Sequence, residues 1–379
     1  MQKQSILGWG LIVCFATTSL LGADPQHQGS EILEYSMSFQ IPELKAANRF
    51  ALSRDGKHLY CAAWRAGTIV SFEKHGVASL EHIENTQDPL LAGVLKLALN
   101  GDGSVLACVC MRSNRISMFG RDKANGVLTM LGSSEASLLW PVALSFSPDG
   151  KFLYVADAGG SSSSNAPSSL VVFDVSDPAA VREIARYDPE GAVGLRNVLV
   201  SADGKNCYAT CSTSGMVIVY ERDKKSGELR HLQTNDLKGS GATMLDGVHS
   251  CKVSHSGKRL YCISGRFRGV SGITVFERQS DGRLALAREL KLESEEFSGG
   301  NDIVVSKDES LVIASGTTGN SIAIVQQDLS EPSLQLHSTL VNSGKINLLG
   351  VSGLQFGHDE DDLFVAAEDG SAVTAFFVK

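Results

Sequence analysis

The sequence predicts an all-β chain, a seven-bladed β-propeller of four-stranded antiparallel blades whose ring is closed by an N-terminal strand completing the last blade. Three observations predict it. A turn followed by an alternating strand recurs seven times, two further alternating runs follow in each unit, and the last unit lacks its fourth run.

The recurring turn is clearest in "SPDGKFLYVADAGG" (147–160), where Pro148-Asp149-Gly150 precedes a strand pattern. Equivalent turns fall at Gly56, Gly103, Gly150, Gly204, Gly257, Glu309 and Glu360, 47 to 54 residues apart. A third run follows in each unit, such as "TIVSF" (68–72), "VIVYE" (217–221) and "ITVFE" (273–277). A fourth, weaker run comes next, as in "GRLALARE" (282–289). β-Branched and aromatic residues at period two, bounded by Gly, Asp and Ser, read as strands. The seventh unit ends at Lys379 after its third run, and an unassigned alternating segment, "ILEYSMSFQI" (32–41), stands before the first unit. As the outer strand of the last blade, this segment would join the chain ends and cover an open edge.

With 379 residues, 43% hydrophobic residues and 38 glycines, the chain can bury a large core with many turns. The repeats favour one domain over 24–379. Residues 1–23 carry Lys3 and then no charge, and Ala23 suits cleavage, which reads as a signal peptide and implies a periplasmic or secreted protein. A retained anchor over 4–23 is the alternative. Nothing further along is apolar enough to span a membrane, so the cleaved chain is not expected to be membrane-integral. Of the seven cysteines beyond the leader, six fall on second strands and read as buried thiols, while Cys251 and Cys262 could face each other across a hairpin. The net charge of −8, without a basic stripe interleaved with aromatics, argues against nucleic acid.

"SPDGKFLYVADAG" resembles the repeat of the seven-bladed propeller lactonase family, which includes bacterial 6-phosphogluconolactonases and fungal muconate-lactonising enzymes. "VYERDKKSGELRHLQT" (219–234) and "VFERQSDGRLALARE" (275–289) resemble that family's link between third and fourth strands. The likeness covers roughly residues 45–379. It implies a propeller and a lactonase-type hydrolase that needs no cofactor. The family's Gly-Pro-Arg-His appears here as Gly-Leu-Arg-Asn (194–197), so Arg196 matches and Asn197 stands where the family has His. Ser212 or a neighbour occupies the place of a family Glu, "LLWPVALS" lacks the family's His, and "CISGRFRG" offers Arg266 and Arg268 where the family has Arg.

Propeller topology gives an independent list. Connections from fourth to first and from second to third strands emerge on one face, around the channel, where ligands bind. Arg49, Lys96, Arg196, His249, and Asn301 with Asp302 are expected before the innermost strands. Arg65, Arg112, Asp157, Arg266, Arg268, Glu368 and Asp369 follow second strands. Guanidinium groups gathered at one mouth suit a carboxylate or phosphate, and they equally suit pairing with Asp157, Asp302 and Glu368 as struts between blades. For lactone hydrolysis the candidate catalytic residues are His249 for proton transfer and Arg196 and Arg266 for the oxyanion. Arg49, Arg65, Arg112, Asp157, Arg268 and Asp302 are candidate ligand-binding residues. No metal site is expected, and "DEDD" (359–362) reads as a solvated acidic turn. The insert "GGSSSSNAPSS" (159–169) reads as a lid or a tolerated loop. The expected function is hydrolysis of an anionic sugar lactone or related cyclic ester by a monomer. The alternative is a non-catalytic propeller binding a small anion, a glycan or a protein.

Overall fold

A computed structural model describes residues 30–379 except 136, 161–166, 268, 293, 295 and 332. The leader, most of the 159–169 insert and Arg268 therefore lie outside the described residues.

Seven four-stranded antiparallel sheets form the ring. The first blade contains Ala47–Leu52, His58–Ala63, Thr68–Lys74 and Leu80–Gln87, from the channel outward. Blades two to six span 94–133, 141–187, 195–236, 250–291 and 300–341. The seventh combines Val351–Phe356, Asp362–Ala367 and Ala372–Val378 with the N-terminal strand Leu33–Gln40. Leu33 lies opposite Val378 and Gln40 opposite Ala372. The closure expected from the sequence is therefore the observed one, and it leaves no blade short of a strand.

Burial grades outward from the second strands. Phe152–Asp157 is buried at every position, because both its faces meet neighbouring blades. The outer strand Arg182–Tyr187 is mostly exposed. The apolar core is correspondingly divided among the seams. One cluster joins Leu59 and Phe72 of the first blade to Phe364 and Val373 of the seventh, and another joins Tyr154 of the third to Cys207 of the fourth. All seven described cysteines are buried and free, and burial pushes the pKa of thiols such as Cys61 and Cys207 well up, which keeps them protonated. Cys251 and Cys262 do sit opposite each other in register, without a disulfide.

The recurring turn explains its own sequence. At each of the seven turn positions the backbone is left-handed, from Gly56 at φ 71° to Glu309 and Glu360 at φ 63°. Glycine tolerates this conformation freely and a side chain does not. Ser53 and Asp55 brace the first turn: the Ser53 hydroxyl donates to Asp55 at 2.5 Å and accepts from the amide of His58 at 2.9 Å. These turns lie on the face opposite the mouth, where a clasp also recurs between blades. Tyr154 donates to the Gly227 carbonyl at 2.7 Å and accepts from Arg222 at 2.5 Å; Tyr208 and Arg278 repeat the arrangement one seam later. At the closing seam an ion pair takes its place: Lys74 Nζ lies 3.0 Å from Asp362, which also accepts from the amide of Ala78 at 2.9 Å. Asp362 is wholly buried, which corrects the reading of "DEDD" as a solvated turn; the ring closure draws its last carboxylate inside.

Candidate functional site

The innermost strands open irregularly in six of the seven blades. Register shifts fall between Ala47 and Arg49, Val94 and Lys96, Leu195 and Asn197, and Gly300 and Ile303, with similar shifts in the third and seventh blades. An extra residue in a strand re-aims its side chains. Here it lets adjacent residues, such as Asn48 with Arg49 and Arg196 with Asn197, share one cavity of about 260 Å³ at the channel mouth.

One wall comes from the fourth and fifth blades. Gly265 (φ 92°) directly precedes Arg266, and a side chain there would strike Ser271 at 2.6 Å. The chain beyond it presents Phe267, which is 47% exposed. The guanidinium carbons of Arg196 and Arg266 stand 4.9 and 5.0 Å from the Phe267 ring centre. The His249 ring meets Phe267 edge-on at 5.5 Å. His249 Nδ1 lies 2.9 Å from the carbonyl oxygen of Asn301, which can only accept, so this nitrogen carries the proton. Burial and then Arg49, Arg196 and Arg266 push the imidazole pKa well below its ordinary value. The ring is thus neutral at pH 7, with its lone pair on Nε2. Arg196 donates from Nε to Ser212 Oγ at 3.4 Å, while its buried Nη2 has no hydrogen-bond partner among the described residues. Burial and the neighbouring Arg266 bring the Arg196 pKa down to about 10.

The floor is a hydrogen-bonded belt. Lys96 Nζ donates to Asn197 Oδ1 at 2.7 Å, Asn197 Nδ2 donates to Ser250 Oγ at 3.0 Å, and Ser250 donates to Asp302 at 2.9 Å. Arg49 lies 3.8 Å from Asp302 and donates to Asn301 Oδ1 at 2.9 Å, which leads the belt back to the residue holding His249. Burial opposes the charge on Asp302, but Arg49, Lys252 and Lys96 outweigh it and lower its pKa. Burial, with Lys252 and Arg49 nearby, brings Lys96 down to about 7.

The far wall comes from the first, second and seventh blades. Trp64 Nε1 donates to Glu368 at 2.8 Å, and Asn48 Nδ2 donates to the other carboxylate oxygen at 3.3 Å. Arg65 and Arg112 stand 5.0 and 5.1 Å from the Trp64 ring centre.

The structure therefore brings Arg49, Arg196, His249 and Arg266 to one cavity and places Arg65 and Arg112 on a residue that lines it. Asp302 lies just beneath, as an anchor for Arg49 and Ser250. Asp157 is not part of the cavity lining. Its buried carboxylate accepts from the amides of Leu139 and Trp140 at 2.9 and 2.6 Å and lies 3.6 Å from Arg186, so it clamps a loop. Sequence reasoning missed Trp64 and Phe267. Their signal was position, since Trp64 directly follows a second strand and Phe267 stands between Arg266 and Arg268. No group of three or more potential metal ligands occurs among the described residues.

The family model of seven-bladed β-propeller lactonases matches residues 34–146 and 143–349. The chain belongs to this lactonase family. Among curated proteins no sequence matches it significantly. Solved structures share the fold at low identity. The Pseudomonas aeruginosa periplasmic gluconolactonase is 17% identical over 85% of this chain and 88% of its own, with a TM-score of 0.65. A candidate 6-phosphogluconolactonase from Bacteroides uniformis is 19% identical over 77% and 84%, with a TM-score of 0.64. Kuenenia stuttgartiensis hydrazine synthase is 15% identical over 94% and 99%, with a TM-score of 0.69, so the architecture alone does not specify a reaction.

Proposed function

We propose that the protein is a lactonase-type hydrolase that opens an anionic sugar lactone or related cyclic ester at the channel mouth. The observation that carries the reading is the neutral His249 ring beside the Arg196–Phe267–Arg266 cluster, on the wall of one cavity. Nε2 of His249 takes a proton from water, and the resulting hydroxide attacks the lactone carbonyl. Arg196 and Arg266 stabilise the oxyanion, with the unpartnered Nη2 of Arg196 ready to donate. The ring C–O bond then breaks, and the imidazolium returns its proton to the leaving alkoxide. The product is a hydroxy acid.

Departures from the family pattern support a second reading, a binding protein without turnover. Asn197, which stands where the family has His, is fully engaged between Lys96 and Ser250. The uncharged run after Lys3 supports export, with a mature N-terminus near Asp24 that mass spectrometry of the native protein would check.

A pH-stat assay over a panel of sugar lactones, including gluconolactone and 6-phosphogluconolactone, tests the proposal. Arg196→Ala should lower kcat about a hundredfold, as expected for losing one oxyanion donor. Wild type that turns over no lactone at any pH but still binds carboxylates through Arg196 would favour the binding reading.

A further inference from the structure

We propose that the cavity wall built by the second and third blades receives an alkyl substituent, so that the favoured substrate is a lactone bearing an apolar chain on its ring. The proposal rests on the lactonase reading and narrows its related cyclic esters to one chemical class.

Leu95 and Met111 of the second blade and Trp140 and Val142 of the third line the cavity beside its charged residues. Leu95 and Val142 lie on first strands, Met111 directly follows the second strand Val105–Cys110, and Trp140 directly precedes the first strand Pro141–Phe146. None of the four carries a charge. Leu95, Trp140 and Val142 pack into one apolar cluster with Leu195, the residue before Arg196. The apolar wall therefore extends to the strand that bears the oxyanion arginine, and a group seated on it shares one cavity with the reacting carbonyl. At the outer end stands Leu139, 64% exposed, the most exposed large apolar side chain among the described residues. From Val142 through Trp140 to Leu139 the surface passes from buried to half-buried to exposed. That gradient makes an apolar track from the cavity to solvent.

The track is held in place. The Asp157 carboxylate accepts from the amides of Leu139 and Trp140 at 2.9 and 2.6 Å, and the Trp140 carbonyl accepts from the Ala158 amide at 3.0 Å. These bonds tie Leu139 and Trp140 to the end of the third blade's second strand, so Asp157 positions the wall without touching the ligand. A surface already ordered needs little further ordering when a ligand arrives. A polyol fits it poorly: each hydroxyl laid on the wall sheds water and meets no strong partner other than the indole N–H of Trp140. An alkyl chain has no such hydration to lose, and its burial removes apolar surface from water.

Steady-state hydrolysis of γ-valerolactone, γ-octalactone and γ-decalactone, with δ-gluconolactone beside them, tests this. The three γ-lactones share one ring and differ in a methyl, butyl or hexyl substituent. kcat/KM should rise about twofold to fourfold per added methylene, and so about tenfold or more from valerolactone to octalactone. Leu139→Ser and Trp140→Ala should each shrink the ratio of kcat/KM for decalactone over valerolactone by about threefold or more. Leu139 is exposed, so its variant should fold whether or not Trp140→Ala does. Equal kcat/KM along the series, a preference for gluconolactone over octalactone, or a ratio that the variants leave unchanged would overturn the alkyl wall while leaving the enzyme a lactonase. Failure of the underlying lactonase reading looks different: none of the four lactones would be hydrolysed, and the proposal would fall with it.

Discussion

His249 donates its Nδ1 proton to the carbonyl of Asn301, 2.9 Å away on the neighbouring blade. This bond sets the tautomer, and burial with three nearby arginines keeps the ring from charging. The acid limb of kcat/KM is therefore expected well below pH 6.5, with activity flat through neutrality. His249→Gln should lower kcat about a hundredfold or more and abolish that limb. A wild-type limb at or above 6.5 would count against His249 as the base.

Lys96 gives a pH effect on stability. Its pKa falls from 10.5 to about 7 on folding, so between these values the unfolded chain binds more protons. Stability contributed by this residue therefore rises with pH from about 7 upward. Lys96→Met should raise stability at pH 7 by about 1–2 kcal/mol, less than the full shift implies, because the side chain is only half-buried and Asn197 loses its partner. The gain should shrink as the pH approaches 10, which thermal melts at several pH values would show.

The closing strand is held by burial as well as by its ladder. Leu33 is buried in a cluster with Leu363 and Phe376. Leu33→Ala should cost about 2–5 kcal/mol, and removing residues 30–41 should cost more, because the seventh blade then exposes an open edge. Unchanged melting of the deletion variant would mean the strand does not clasp the ring.

Glu309 occupies a left-handed turn position that glycine holds in five other blades. It is retained for its contacts: it accepts from Ser256 at 2.5 Å, and from Arg259 and Tyr261 at 2.9 Å each. Glu309→Gly relieves the backbone but leaves Arg259 unpaired, so a net loss of about 1–3 kcal/mol is expected in denaturant melts. Glu360 has an equivalent backbone, but its contact with the Lys307 amide is exposed, so Glu360→Gly should be neutral or stabilising.

The sequence by itself determined the ring. Alternation at period two fixes which residues of each strand pack into the seams, the left-handed turns call for glycine at regular intervals, and the missing fourth run at the C-terminus required a strand from the other end. It also placed Arg49, Arg196, His249 and Arg266 at the mouth, because strand order alone decides which loops share a face. What only the tertiary structure decided is the use made of each charge. Asp157 and Arg112 both stand at or just past the end of a second strand, yet one clamps a loop through two amides while the other rests on Trp64. Asp359 and Asp362 lie three residues apart, yet one is exposed and the other buried against Lys74. A charged group's role depends on its dielectric surroundings and on partners that are hundreds of residues away in the chain, such as Trp64 and Glu368. Those meet only when the ring has closed.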